Sequence, residues 1–242
     1  MNSITTTVND IRELFKRMKI NEEFVVDKTG CKMLEIIGAT FLADEETIFG
    51  AVNHDYVKRE IQWYESMHRN VNYIPGVTPK AWLSCASPTG RINSNYGWMI
   101  WSDENYKQYE NVLAELKAKP ESRRAVMIYT RPNMWIDYNS DGMSDFVCTN
   151  AVQYFIRDGK LLALVQMRSN DAWAGYRNDV AWQKNVHERL ANDLSIEAGQ
   201  MIWHAGSIHL YERNFYLVDG YIKTGRYDLT LDECKIFSKN SD

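Results

Sequence analysis

Apolar residues recur at helical spacing near the start of the chain. Ile11, Leu14, Phe15 and Met18 place one stripe on a helix predicted over 8–18. Met33–Phe41 is apolar and β-rich, which predicts a strand entered from a turn at Lys28-Thr29-Gly30. A second helix is predicted over 54–68, with Asn53 as its cap and Asp55 in its first turn. Its stripe is Val57, Ile61 and Tyr64, and Glu60 lies between them on the same apolar face. A carboxylate in that position costs free energy unless it has a partner or a function.

Residues 69–101, rich in Asn, Pro, Gly and Trp, read as irregular loop ending near Asn95-Tyr96-Gly97-Trp98. A helix over about 103–119 carries Tyr106, Tyr109, Leu113 and Leu116 and stops before Pro120. Strands follow at Arg124–Arg131, Thr149–Arg157 and Lys160–Met167, the last two joined by Asp158-Gly159, a strong hairpin signal. A helix over 178–194 and a strand over Met201–Tyr211 complete the pattern. Without strict βα alternation, the fold class expected is α+β. No repeat and no long linker interrupts the sequence, which predicts a single domain over 1–242.

Composition narrows the function classes. At 242 residues, 45% hydrophobic and 25% charged, the chain reads as a folded globular protein. A net charge of −4 argues against a broad nucleic-acid surface, so no direct nucleic-acid partner is expected. No apolar run is long enough for a membrane span, and Met1–Thr7 lacks the features of a secretory signal. Cys31, Cys85, Cys148 and Cys234 form no CxxC pair and no Cys/His cluster, so neither a metal site nor a disulfide framework is expected. A reducing cytoplasm is the expected location.

The hairpin permits a register argument. With Asp158-Gly159 as a two-residue loop, Arg157 pairs with Lys160, Cys148 falls opposite Ser169 and Arg168 opposite Thr149. A cation and a hydroxyl beside a thiol favour the thiolate and suit nucleophilic catalysis, whereas a lone cysteine by default is a small buried hydrophobe. Taken alone, Arg123-Arg124 reads more readily as a solvated turn than as an anion site, and His209 more readily as a core histidine than as a ligand group.

Glu60, Tyr96-Gly97, Ser122-Arg123-Arg124, Cys148, Arg168-Ser169-Asn170-Asp171, Gly175, Asn178-Asp179 and His209-Leu210-Tyr211, in this order and spacing, resemble the thymidylate synthase family. The resemblance runs from about Phe24 to Lys223. It is nearest to the branch that hydroxymethylates deoxycytidylate in T-even-type bacteriophages. It implies a thymidylate synthase-like fold, a sheet-mediated homodimer with shared active sites, and 5,10-methylenetetrahydrofolate as co-substrate, with no metal. It further implies Cys148 as the nucleophile that adds to C6 of the pyrimidine, and Glu60 and Tyr96 in the water and proton network. Arg168 and Ser169 match phosphate ligands within Arg168-Ser169-Asn170, and Arg123 and Arg124 match a pair reaching into the neighbouring subunit. Lys28 stands where the synthases use arginine. His209 and Tyr211 match the pair holding the deoxyribose 3′-hydroxyl. Asp171 matches a folate contact, with Trp82 and Trp101 as flanking rings. Association with other nucleotide-synthesis enzymes is left open.

The departures from the synthases choose the reaction. Asp179 stands where they have asparagine. An amide matches uracil N3–H and O4; a carboxylate matches the cytosine 4-amino group and a protonated N3. Thr149 and Met167 replace a histidine and a glutamine, and Lys239-Asn240-Ser241-Asp242 lacks the apolar tail that closes over folate. The resemblance therefore implies hydroxymethylation of dCMP, finished by water rather than hydride. The alternatives are a dUMP enzyme, which Asp179 argues against, and a non-catalytic nucleotide-binding protein, which has no need of a nucleophile.

Overall fold

The structure is a computed structural model that describes residues 4–234. In chain order its elements are α1 (Val8–Ile20), β1 (Val25–Val26), β2 (Lys32–Leu42), α2 (His54–Glu65), α3 (Lys80–Cys85), α4 (Tyr96–Trp101), α5 (Gln108–Ala118), β3 (Val126–Ile128), α6 (Met134–Asp137), β4 (Thr149–Arg157), β5 (Lys160–Met167), β6 (Asn170–Asp171), α7 (Ala174–Asp193), β7 (Glu197–Tyr211) and α8 (Phe215–Thr224). The α+β expectation holds, with antiparallel and parallel strand pairs in the sheet. No helix among the described residues is long and apolar enough to cross a membrane. The chain divides into two compact units.

The first unit comprises residues 4–53, 167–184 and 200–234. Helix α1 begins in a reciprocal capping box, Thr7 accepting from the Asp10 amide while Asp10 accepts from the Thr7 amide. Val8, Ile11 and Phe15 are buried beneath it. Strand β2 pairs antiparallel with β1 on one side and β7 on the other. Strand β6 lies parallel to β7, with Asn170 opposite Ile208 and Asp171 opposite His209. Gly206 is needed where β7 passes the Arg168 carbonyl, because a Cβ there would sit 2.9 Å from that oxygen.

The second unit comprises residues 54–166 and 185–199. Strand β3 pairs with β4, Met127 opposite Val152. The β4–β5 turn has Asp158 at φ 51° and Gly159 at φ 73°, the two left-handed residues that a tight hairpin requires. The region expected to be loop contains α3 and α4. They are six-residue helices, too short for their apolar content to carry a usable period. The helix expected over 103–119 is also corrected. Tyr106 and Lys107 take positive φ, so a 3₁₀ turn ends there and α5 begins at Gln108. Tyr106, expected in the buried stripe, is 83% exposed.

His187, near the end of α7, is buried with Nε2 2.7 Å from the Leu161 carbonyl oxygen. A carbonyl only accepts, so Nε2 carries the proton, and burial holds the ring below its ordinary pKa of 6.5. As pH falls below about 6.5 the unfolded chain binds a proton that the folded chain does not, so stability is lost on acidification. His187→Gln should therefore flatten the fall in Tm between about pH 7 and pH 5. Parallel Tm curves for parent and variant would contradict this.

Candidate active site

Helix α2 buries Glu60, Trp63 and Tyr64, so the carboxylate on the apolar face is real, at 4% exposure. Its partners come from two elements. Tyr56, one turn earlier on α2, donates its hydroxyl to Glu60 Oε1, and Trp82 of α3 donates its indole N–H to the same oxygen at 2.8 Å. Burial first, and then the adjacent Glu60 charge, push the Tyr56 phenol far above its ordinary pKa, so it remains a donor. Trp82 is half-buried, and its indole N–H is shared between Glu60 Oε1 and the Tyr56 hydroxyl oxygen, 3.0 Å away.

Tyr96 opens α4, stacked on Tyr64 with centroids 5.1 Å apart and edge-on to Tyr129. This approach requires Gly97, because a Cβ at that position would fall 1.8 Å from the Tyr64 carbonyl oxygen. Trp101 closes the same helix against Tyr109 and under the Arg189 guanidinium.

Cys148 immediately precedes β4 and is half-buried. The loop before it is fixed by Asp145, whose buried carboxylate accepts from the backbone amides of Asn93 and Ser94 and from the Ser94 hydroxyl. Cys85, also in this unit, is a poor nucleophile: burial, then the Asp145 charge, push its thiol up to about 12. Arg123 and Arg124 are exposed, and Arg124 pairs with Glu115 at 3.1 Å.

In the first unit, Arg168 is exposed and Ser169 half-buried at the end of β5. Asn170 is buried, donating through Nδ2 to Asp179 Oδ2 at 2.8 Å. Asp171 Oδ1 accepts from the amides of Trp173 and Ala174, capping the start of α7. Asp179 is half-buried on that helix.

His209 is buried on β7, directly opposite Glu35 of β2 and Asp171 of β6, with the Tyr211 ring 5.0 Å away. Burial lowers its pKa. The Asp171 and Glu35 charges oppose that shift, and Arg168 and Arg213 reinforce it. The Ser207 hydroxyl donates to Glu35 Oε1 at 2.5 Å and lies 3.4 Å from His209 Nδ1. Lys28 sits exposed in the Asp27–Gly30 turn, and Asp27 is among the charges acting on Tyr211.

The first unit thus gathers the Arg168–Asp171 segment, Asp179, His209, Tyr211 and the Lys28 turn. The second holds Glu60 with Trp82, and also Tyr96, Trp101, Cys148 and the arginine pair. Tyr56, Glu35, Ser207 and Trp203 escaped the sequence reading. Tyr56 was readable from its i, i+4 spacing to Glu60, and Glu35 as a charge within an apolar strand. Residues 239–242, where a departure from the synthase tail is expected, lie outside the described residues.

The half-buried cysteine at a strand head and the carboxylate held by Tyr56 and Trp82 lie in the second unit, and the half-buried Asp179 carboxylate beside the Asn170 amide lies in the first. The chain matches the family described as thymidylate synthase over residues 12–238, and it belongs to that family. Among curated relatives it is 54% identical to the deoxycytidylate 5-hydroxymethyltransferase of Enterobacteria phage T6, over 97% of this chain and 98% of that one. It is 56% identical to the enzyme of the same name from Enterobacteria phage T4, over 93% of this chain and 94% of that one. The thymidylate synthase of Francisella tularensis subsp. holarctica is more distant, at 23% identity over 93% of this chain and 87% of that one.

Proposed function

We propose that the chain transfers a hydroxymethyl group to C5 of dCMP, with 5,10-methylenetetrahydrofolate as one-carbon donor. The observation that carries the reading is Asp179, a half-buried carboxylate where the base-reading amide of the synthases is expected. Identity above one half to two phage enzymes named for this reaction supports it. The place of action is then the cytoplasm of an infected bacterial cell.

The Cys148 thiolate adds to C6, and the electron pair displaced onto C5 makes that carbon nucleophilic. Asp179 accepts from the 4-amino group and stabilises the proton on N3 as C6 is attacked. C5 bonds to the one-carbon unit; loss of the C5 proton to solvent and cleavage of that carbon's bond to nitrogen, with release of tetrahydrofolate, leave an exocyclic methylene on the base. Glu60, oriented by Tyr56 and Trp82, directs water onto that carbon, after which Cys148 departs. Arg168, Ser169 and Lys28 hold the phosphate, and His209 and Tyr211 the 3′-hydroxyl.

The folate donor needs an aromatic surface and a carboxylate for its N–H groups. Trp82, half-buried with its N–H turned to Glu60, and Asp171, half-buried with one oxygen on the first turn of α7, fit that need. When bound, the folate supplies one carbon at the oxidation level of formaldehyde. Release of tritium from [5-³H]dCMP, dependent on methylenetetrahydrofolate, tests the reading; release from [5-³H]dUMP alone would overturn it.

Glu60→Gln keeps an oxygen for Tyr56 and Trp82 to donate to but removes proton transfer. Product formation should fall about 10²- to 10⁴-fold while tritium release from C5 falls less. Equal product yield at an unchanged pH profile would return Glu60 to a structural role.

The exposed arginine pair suits phosphate ligands supplied to a second copy of the chain. In each unit one sheet face is incompletely buried: Ile37, Thr40 and Ile202 in the first, Ile128, Ala151 and Phe155 in the second. These faces support a sheet-mediated homodimer. Arg124→Ala and Cys148→Ser, each inactive alone, should recover part of the parent activity when their subunits are exchanged. Exchange confirmed by labelling without recovered activity would count against shared sites.

A further inference from the structure

Three side chains of the first unit stand in a line behind the base-reading position. The Trp203 indole N–H donates to Asn170 Oδ1 at 3.2 Å, and Asn170 Nδ2 donates to Asp179 Oδ2 at 2.8 Å. Trp203 is fully buried and Asn170 is 2% exposed. Gly175 leaves room for the second bond, since a Cβ there would stand 3.2 Å from Asn170 Nδ2.

The polarity of this line is fixed from its far end. An indole nitrogen only donates, so the oxygen of the Asn170 amide must face Trp203 and its NH₂ must face residue 179. Whatever atom of residue 179 meets that NH₂ must accept. For aspartate this holds one carboxylate oxygen and fixes the plane of the other. For asparagine it selects Oδ1, turning Nδ2 toward the base, where a donor meets a 4-oxo group and repels a 4-amino group.

We infer that Asn170, held by Trp203, is a positioning residue that dictates which atom of residue 179 faces the pyrimidine, and through it the choice between 4-amino and 4-oxo bases. This rests on the deoxycytidylate reading. It also reassigns Asn170 from the substrate-binding group, because its buried amide is engaged at both ends within the protein. The cost of a wrong base is high because the alternative leaves like polarities facing each other out of water.

The test is the ratio of dissociation constants for dCMP and dUMP, measured by calorimetry on the full chain. Asn170→Ala should reduce the preference for dCMP about tenfold, consistent with loss of a hydrogen bond to a charged group. Trp203→Phe, which keeps an aromatic ring in place but removes the hydrogen bond that holds the Asn170 amide, should move the ratio in the same direction. It provides the reading if Asn170→Ala fails to fold. Asp179→Asn should favour dUMP in the parent background and do so about tenfold less strongly beside Asn170→Ala. A parent preference for dCMP that neither variant moves, or two substitutions whose effects on the ratio simply add, would overturn the relay alone. A parent chain with no preference for dCMP would overturn both the relay and the deoxycytidylate reading beneath it.

Discussion

Asp179→Asn is expected to move the ratio of kcat/KM for dCMP over dUMP by about ten- to a hundredfold toward dUMP. The reason is hydrogen-bond polarity at one atom. A carboxylate oxygen facing O4 of uracil sets acceptor against acceptor, whereas the amide offers an N–H to O4 and an oxygen to N3–H. The charge adds to the discrimination, because the ionised carboxylate also stabilises the N3 proton that accompanies attack at C6. Since Asn170 already donates to Oδ2, the substituted amide is expected to settle in the orientation that suits uracil rather than to sample both. Steady-state kinetics on both nucleotides check this. An unmoved ratio would remove Asp179 as the base discriminator.

Cys148→Ser is expected to have a still larger effect, lowering turnover by at least about 10³-fold while dCMP binding stays measurable. Serine is nearly isosteric with cysteine, but its hydroxyl is far less acidic and far less nucleophilic than a thiol. The neighbouring Cys85 is not a substitute, with its thiol pushed up to about 12 by burial and the Asp145 charge. Turnover near the parent rate in the variant would remove covalent catalysis.

Much of the scaffold was readable because long periodic segments carry their own signal. Strands β4 and β5 fall at the residues their alternation marks, and Asp158-Gly159 supplies the turn geometry its composition demands. The break at Tyr106 and Lys107 was not readable, because a tyrosine and a lysine give no warning of a left-handed backbone. Helix α4 escaped for another reason: its register is set by the close approach of Gly97 to α2, a tertiary constraint.

The site divides along the same line. Glu60 could be found because a carboxylate on an apolar face breaks a local rule. Its actual partners are Tyr56, a helical turn away, and Trp82, many residues distant. Trp82, expected to flank the folate ring, turns its indole N–H to Glu60 and the Tyr56 hydroxyl. The Asn170–Trp203 bond joins β6 to a residue of β7 that no local pattern marks.

The central claim is tested most directly by incubating the full chain with dCMP and methylenetetrahydrofolate and identifying both products by mass. The account predicts a nucleotide heavier by one CH₂O, formed together with tetrahydrofolate, and little or no product from dUMP under the same conditions. A methylated nucleotide formed together with dihydrofolate, or a product from dUMP and none from dCMP, would contradict it.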